Sequence, residues 1–386
     1  MMAASVVRGS GPSPAASGTR EPLAAAVEET VVRVELGARG YPIHVGAGTL
    51  GTVGARLREL GAGSRVALLT TSTVAGLYAS GVRESLMAAG FEVTAIEVPD
   101  GEVHKTLGTV AGIYDRLIDA RLDRGATLVA LGGGVVGDMG GFTAATFLRG
   151  IALVQVPTTL VAQVDASIGG KTAVNHARGK NLIGAFHQPR LVLADIEVLR
   201  SLPRREFVAG LAEVIKYGAS LDAELFDFLE QALPRVLALE PAALARMVSA
   251  CCRLKAEVVA ADEREGGARA VLNFGHTIGH AVESLTGYTR YLHGEAVAIG
   301  LAFASRLSVA RGLCAPVAAA RIRGLLERAG LPVEVPGELD AVAIAGAVSI
   351  DKKSREGTVR FVCLEEIGRT RFEHLTGAEI VRYLGR

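Results

Sequence analysis

The chain has 386 residues, room for two domains of ordinary size, and is 49% hydrophobic and 21% charged, the balance of a soluble globular protein. Its formal net charge of +1 gives no global field that would recruit nucleic acid or a membrane surface, so any anion site must be local. The apolar stretches are short or broken by glycine and polar residues, and none reads as a transmembrane span.

Residues 1–28 are rich in Ala, Ser, Gly and Pro and lack an apolar run long enough for a signal-peptide core. They are expected to be a disordered tail, with an organelle transit peptide as the alternative. Residues 31–36 and 41–45 read as strands flanking a hairpin turn at 37–40. A strand is expected at 65–70, a helix at 74–89, a strand at 91–98 and a helix at 107–120. Strands at 126–131 and 151–156 follow. Alternation of this kind implies a parallel sheet with helices on both faces. After residue 189 the pattern turns helical, with helices expected at 204–218, 223–233, 241–261, 274–285, 295–311 and 316–330, and one late strand at 359–364. The fold class is therefore α/β: a nucleotide-binding α/β domain at 29–189, then a mostly α-helical metal- and substrate-binding domain at 190–386. The four cysteines (Cys251, Cys252, Cys314, Cys363) show no CxxC spacing and read as reduced thiols of a cytoplasmic protein.

Three features carry chemistry. His276 and His280 stand four apart on one helix face, and His293 opens the next apolar segment. Neutral imidazoles converging from two helices beside a carboxylate suit a catalytic divalent metal; clustered core or capping histidines are the bland alternative. Gly132-Gly133-Gly134-Val135-Val136-Gly137-Asp138 follows a buried strand and satisfies G-x-G-x-x-G, so backbone can approach a pyrophosphate there. It lies in a later strand–helix turn than the ordinary dinucleotide fingerprint, and a tight turn without ligand is the alternative. Glu213 and Lys216 share a helix face at i,i+3 among apolar neighbours, as an inward site or as a surface pair. Basic residues also recur in apolar or glycine-rich surroundings: Arg149, Lys171, Lys180, Lys216, Lys255, Arg269, Lys352 and Lys353. A polyanionic small molecule would supply their partners.

Taken in order, these motifs closely resemble the 3-dehydroquinate synthase family of sugar-phosphate cyclases. The resemblance runs over roughly residues 30–386 and rests on residues 100–106, 132–138, 157–159, 164–172, 179–181, 211–218, 273–280 and 293–295. It implies NAD and one divalent metal, Zn2+ or Co2+. It assigns the metal to Glu213, His276 and His293, and moves His280 to the substrate side. It implies nucleotide contacts from Glu102, Lys105, Gly133, Gly134, Val135, Asp138, Thr158, Thr159, Lys180 and Ser201. Substrate contacts are implied for Arg149, Asp165, Lys171, Asn181, Lys216, Lys255, Arg269, Asn273, His280 and one of Lys352 or Lys353. A homodimer is implied too. The chain departs from the family pattern at Thr71 and Thr73, where Asp and Asn are common, at Ala166, where Ser is common, and at Ala173, where Gly is common.

The implied substrate is 3-deoxy-D-arabino-heptulosonate 7-phosphate, whose carboxylate and phosphate would account for the basic residues. The implied product is 3-dehydroquinate, on the shikimate route to aromatic amino acids. A cyclitol-forming cyclase and a metal-dependent NAD polyol dehydrogenase are the competing enzymes, and a non-catalytic NAD- or metal-sensing descendant is the competing class.

Overall fold

The structure, a computed structural model, describes residues 27–351 and 358–385. Lys352 and Lys353, and residues 1–26 of the expected tail, lie outside the described residues. In chain order the elements are β1 (Thr30–Val34), β2 (Tyr41–Gly46), α1 (Val53–Glu59), β3 (Arg65–Thr71), α2 (Ser72–Val74), α3 (Ser80–Ala88), β4 (Glu92–Val98), α4 (Leu107–Asp119), β5 (Thr127–Gly132), α5 (Gly134–Thr146), β6 (Ala152–Pro157), β7 (Lys171–His176), β8 (Gly179–Phe186) and β9 (Leu191–Asp195). The second half comprises α6 (Arg204–Leu221), α7 (Ala223–Leu237), α8 (Pro241–Ala261), α9 (His276–Leu285), α10 (His293–Ala310), α11 (Pro316–Ala329), α12 (Ala341–Asp351), β10 (Thr358–Glu366), β11 (Arg369–Thr376) and α13 (Gly377–Leu384).

Seven strands form one sheet in the order β1-β2-β9-β6-β5-β3-β4, parallel throughout except for the β1–β2 hairpin. Successive strand residues point to opposite faces, and here both faces are covered. Ala67, Leu69, Leu128 and Ala130 pack with Val110 and Ile113 of α4 and Val136 and Met139 of α5. Val66, Leu68, Val129 and Leu131 pack with Val53 and Leu57 of α1 and Val82 and Leu86 of α3. These strands therefore read as continuous apolar runs. Cutting Leu68, which is fully buried, back to Ala would cost about 2–5 kcal/mol.

A third core joins the two halves of the chain: Val34, Tyr41, Ile43 and Val45 of β1 and β2 pack with the apolar faces of α6 and α8. The sheet also takes in β9, whose residues follow position 189, because all five of its side chains are buried between β2 and β6. The β7–β8 and β10–β11 hairpins form separate two-stranded ribbons. The helix expected at 74–89 is interrupted by a π-helical turn at Ala75–Ala79.

Candidate active site

Parallel α/β sheets bind ligands beyond the carboxyl ends of their strands. A cavity of about 1380 Å³ opens there, lined by Thr71 at the end of β3, Thr73 just beyond it, Asp100 after β4, Gly133 after β5 and Thr158 after β6. It exceeds the roughly 300–1,000 Å³ of an ordinary small-molecule pocket, leaving space for a dinucleotide and a second ligand. All ten residues assigned to the nucleotide line it: Glu102, Lys105, Gly133, Gly134, Val135, Asp138, Thr158, Thr159, Lys180 and Ser201.

The glycine turn fits a pyrophosphate. Gly133 caps α5 in an extended conformation with no side-chain cap, and Gly134, Val135 and Val136 of the first turn, whose N–H groups have no partner within the helix, line the cavity. A Cβ on Gly133 would stand 3.0 Å from Thr159 Cγ2, so a side chain would crowd the surface that a ligand needs. Lys105 Nζ donates to Asp138 Oδ2 and to Asn181 Oδ1, each at 2.5 Å. Burial raises the Asp138 carboxyl to about 6 even though Lys105 pulls it down. Thr73 donates from its N–H (3.2 Å) and its hydroxyl (2.9 Å) to Asp100 Oδ2, so the residues at this departure from the family pattern still face the cavity with polar groups. Ala166 lies beside Gly134 and lines the cavity.

Close helix packing brings together the three candidate metal ligands, Glu213, His276 and His293. α6 is buried almost all round, from Phe207 to Ser220, so Glu213 and Lys216 face protein interior and the surface-pair alternative is excluded. A Cβ on Gly294 would fall 1.8 Å from Ala209 O of α6. One on Gly300 of α10 would fall 1.8 Å from Gly275 O. Only glycine permits these approaches, which bring α6, α9 and α10 into backbone contact. Gly275, at φ +81°, also sets the start of α9 at His276.

His276 Nε2 and His293 Nε2 each lie 3.5 Å from Glu213 Oε1. Ligands about 2.0–2.1 Å from a tetrahedral centre stand roughly 3.3 Å apart, so this spacing suits one divalent ion. Each ring is oriented from behind: His276 Nδ1 is 3.2 Å from Phe274 O, and His293 Nδ1 is 3.0 Å from Glu283 Oε2. Both oxygens of the fully buried Glu213 lack a hydrogen bond of good geometry, although Lys216 Nζ sits against Oε2. Oε2 has the Lys216 ammonium, while Oε1, which faces the two imidazoles, is the atom that a further cation would pair with. Burial raises the Glu213 carboxyl, but Lys216, His276 and His293 outweigh it and hold it well below the usual range. Burial and Lys216 keep His276 neutral, the ligand form. Burial disfavours a charge on His293 too, yet Glu213 and Glu283 raise it to about 10, so a metal would displace a proton there.

His280 lies on the cavity wall, its ring 5.3 Å from that of His276 and 5.9 Å from that of His293. It groups with Glu283 and His293, outside the set that contains Glu213. The i,i+4 histidine pair is therefore present, but only His276 belongs to the triad around Glu213. Asp165 and Asn181 line the cavity as well. Asp165 sits on a π-helical turn, Ala162–Ala166, and accepts from Tyr217 Oη at 2.9 Å and from Lys255 Nζ. Burial opposes its charge, but Lys255 and Lys216 hold its carboxyl well below the usual range. Burial lowers the Lys255 ammonium to about 8, and Asp165 only partly restores it.

Six described residues of the expected substrate set do not line this cavity: Lys216 and Lys255, whose ammonium groups pair with Glu213 and Asp165, and Lys171, Arg269, Asn273 and Arg149. Lys171 pairs with Glu265 at 2.6 Å. Arg269, fully buried, donates to Glu263 O at 2.9 Å and Gly169 O at 3.4 Å. Asn273 ends the 3-10 turn after Gly267, and Arg149 is exposed in a turn before β6 at φ +69°. Conversely, Glu283, Tyr217 and Tyr288 join the site without having been singled out. Glu283 stands three residues after His280 and seven after His276, a helical spacing that places it on the histidine face.

A sheet-end nucleotide cavity beside a helical Glu/His/His metal triad defines an NAD- and metal-dependent enzyme. The profile "3-dehydroquinate synthase N-terminal" matches residues 95–209, and "3-dehydroquinate synthase C-terminal" matches residues 210–354. The 3-dehydroquinate synthase of Geobacter sp. (strain M21) is 54% identical over 345 residues, 89% of this chain and 95% of that protein. Among solved structures, 2-deoxy-scyllo-inosose synthase complexed with carbaglucose-6-phosphate, NAD+ and Co2+ superimposes with a TM-score of 0.84 at 27% identity, covering 92% of this chain and 99% of that one. The 2-epi-5-epi-valiolone synthase of Streptomyces hygroscopicus, with NAD+ and Zn2+ bound, gives 0.82 at 29% identity, covering 89% and 95%. The chain belongs to the 3-dehydroquinate synthase family.

Proposed function

We infer that the chain converts 3-deoxy-D-arabino-heptulosonate 7-phosphate to 3-dehydroquinate and inorganic phosphate, by transient oxidation with NAD, phosphate elimination, re-reduction and intramolecular aldol closure. The observation that carries this reading is one cavity that joins the glycine turn to His293 of the Glu213/His276/His293 triad, with Lys216 paired to Glu213 and Lys255 paired to the cavity-lining Asp165. Glu213, His276 and His293 would hold the ion, and the Gly132–Asp138 turn with Lys105 and Lys180 would hold the dinucleotide. When bound, the ion supplies Lewis acidity at the hydroxyl to be oxidised and the dinucleotide supplies reversible hydride acceptance.

The protein's own groups position and neutralise. Lys216 and Lys255 present fixed cations to an anionic substrate, and Asp165 keeps Lys255 aimed. His280, at the cavity wall, holds or moves a proton at a ring nitrogen facing the substrate. Asn181 anchors Lys105 and offers its amide to the ligand. Lys171 and Arg269, which flank Gly169, and Asn273 complete the anion site in this reading. Arg149 and one of Lys352 or Lys353 join it by resemblance alone. The nucleotide-binding part runs through β9 to Asp195, and the metal- and substrate-binding part follows. The family resemblance further supports a homodimer in the cytoplasm; among the described residues no helix is long and apolar enough to cross a membrane.

The test is a substrate comparison. Efficient turnover of the heptulosonate phosphate, with sedoheptulose 7-phosphate largely ignored because it lacks the carboxylate, is the expected result. Equal turnover, or preference for sedoheptulose 7-phosphate, would move the chain to the cyclitol-forming enzymes.

A further inference from the structure

Glu283 touches both halves of the site. Its carboxylate is almost fully buried, with 6% of the side chain exposed. Oε2 accepts from His293 Nδ1 at 3.0 Å, and Oε1 faces Lys180 Nζ at 3.5 Å. Lys180 belongs to the β7–β8 hairpin, lies in the nucleotide cavity, and also rests over the Tyr288 ring at 4.1 Å from its centroid. One carboxylate thus lies between a cation of the nucleotide cavity and the back of a metal-ligand imidazole.

We propose that Glu283 is the positioning residue through which the nucleotide and metal sites are energetically coupled. The proposal rests on the assignment of those two sites above. A carboxylate behind an imidazole raises the basicity of its far nitrogen and fixes the ring. A cation on the same carboxylate withdraws part of that effect. With the cavity empty, Lys180 shares the Glu283 charge with His293. Once Lys180 turns to the phosphates of a dinucleotide, Glu283 acts on His293 alone, and Nε2 becomes a stronger donor toward the ion held with Glu213 and His276. NAD therefore tightens metal binding, and by thermodynamic linkage the metal tightens NAD by the same factor.

The test measures Zn2+ affinity of the full chain by competition with a chromophoric chelator, with and without saturating NAD. For the wild type NAD should tighten Zn2+ by about 5-fold or more, the lower end of ordinary coupling. Glu283→Gln keeps the shape and an acceptor for Nδ1–H but removes the charge. It should weaken Zn2+ by about 10- to 100-fold and bring the NAD effect to unity. Lys180→Met acts from the partly exposed hairpin, where folding is not at stake. Without NAD it should bind Zn2+ more tightly than the wild type does, and NAD should no longer alter that affinity. Wild-type Zn2+ affinity unchanged by NAD, while both bind, would overturn the coupling and leave the site assignment standing. Coupling retained in both variants would overturn the role of Glu283. Zn2+ affinity of Glu213→Gln equal to that of the wild type would instead overturn the site assignment.

Discussion

Tyr217 donates its hydroxyl to Asp165 Oδ1 at 2.9 Å, from a helix position with no exposed surface. The same Oδ1 also accepts from Lys255 Nζ, so Asp165 has one neutral and one cationic donor. Removing the donor leaves the carboxylate with one fewer charge-assisted hydrogen bond, worth roughly 1.5–3 kcal/mol. Tyr217→Phe should lower the urea midpoint by that amount of stability with an unchanged m-value. A midpoint equal to that of the wild type would show that the bond contributes nothing net.

As a proposed substrate cation, Lys255 should give the reaction a basic limit. Its ammonium, lowered to about 8 chiefly by burial, is charged below that pH and neutral above it. An anionic substrate loses a cation as the pH rises, so kcat/KM should fall through an apparent pKa near 8. Arginine stays protonated throughout this range. Lys255→Arg should therefore remove the limb, whatever activity remains. A limb of the same midpoint in that variant would assign it to another group.

The two histidines of the i,i+4 pair should separate cleanly. His276→Ala should lose most bound metal, because Nε2 is one of three donors converging on one point. His280→Ala should keep the metal and lose rate. Metal analysis of the purified variants, followed by chelation and restoration with Zn2+ or Co2+, reads both effects. Metal lost with His280→Ala and kept with His293→Ala would reverse the assignment.

Asp138→Ala should weaken NAD binding and lower stability together. Lys105, with 5% of its side chain exposed, would lose the carboxylate that compensates its charge, and breaking a buried pair from one side costs about 3 kcal/mol. Calorimetric titration with NAD and thermal unfolding check the two halves of this expectation. Unaltered NAD affinity would remove the Gly132–Asp138 turn from the nucleotide site.

Much of this architecture could be read in the sequence because burial on both faces leaves uninterrupted apolar runs, as in β3 and β5, and because the turn after β5 needs glycine for close approach. His276 and His293 were visible because histidine is scarce in this chain. Other features depend on distant partners. β9 is a five-residue apolar run whose place between β2 and β6 arises only from the sheet, so a boundary at 189 cuts in front of it. The β7–β8 hairpin is built from partly exposed segments, β7 largely polar and β8 carrying Gly179 and Gly184 with no fully buried residue. Glu283 and Tyr217 sit in helices that look apolar, and their roles come from His293 and Asp165, 10 and 52 residues away. The π-helical turns at Ala75–Ala79 and Ala162–Ala166 leave no trace in periodicity, yet both supply residues to the cavity wall.

The central claim is that the dinucleotide is reduced and re-oxidised within each turnover. The most direct measurement supplies the heptulosonate phosphate in large excess over NAD and follows phosphate release and NADH absorbance together, with the product identified. Phosphate released far beyond the NAD supplied, no accumulation of NADH, and 3-dehydroquinate as the product are the expected results. NADH accumulating in step with substrate consumed, with no phosphate released, would contradict the account and mark the chain as a polyol dehydrogenase.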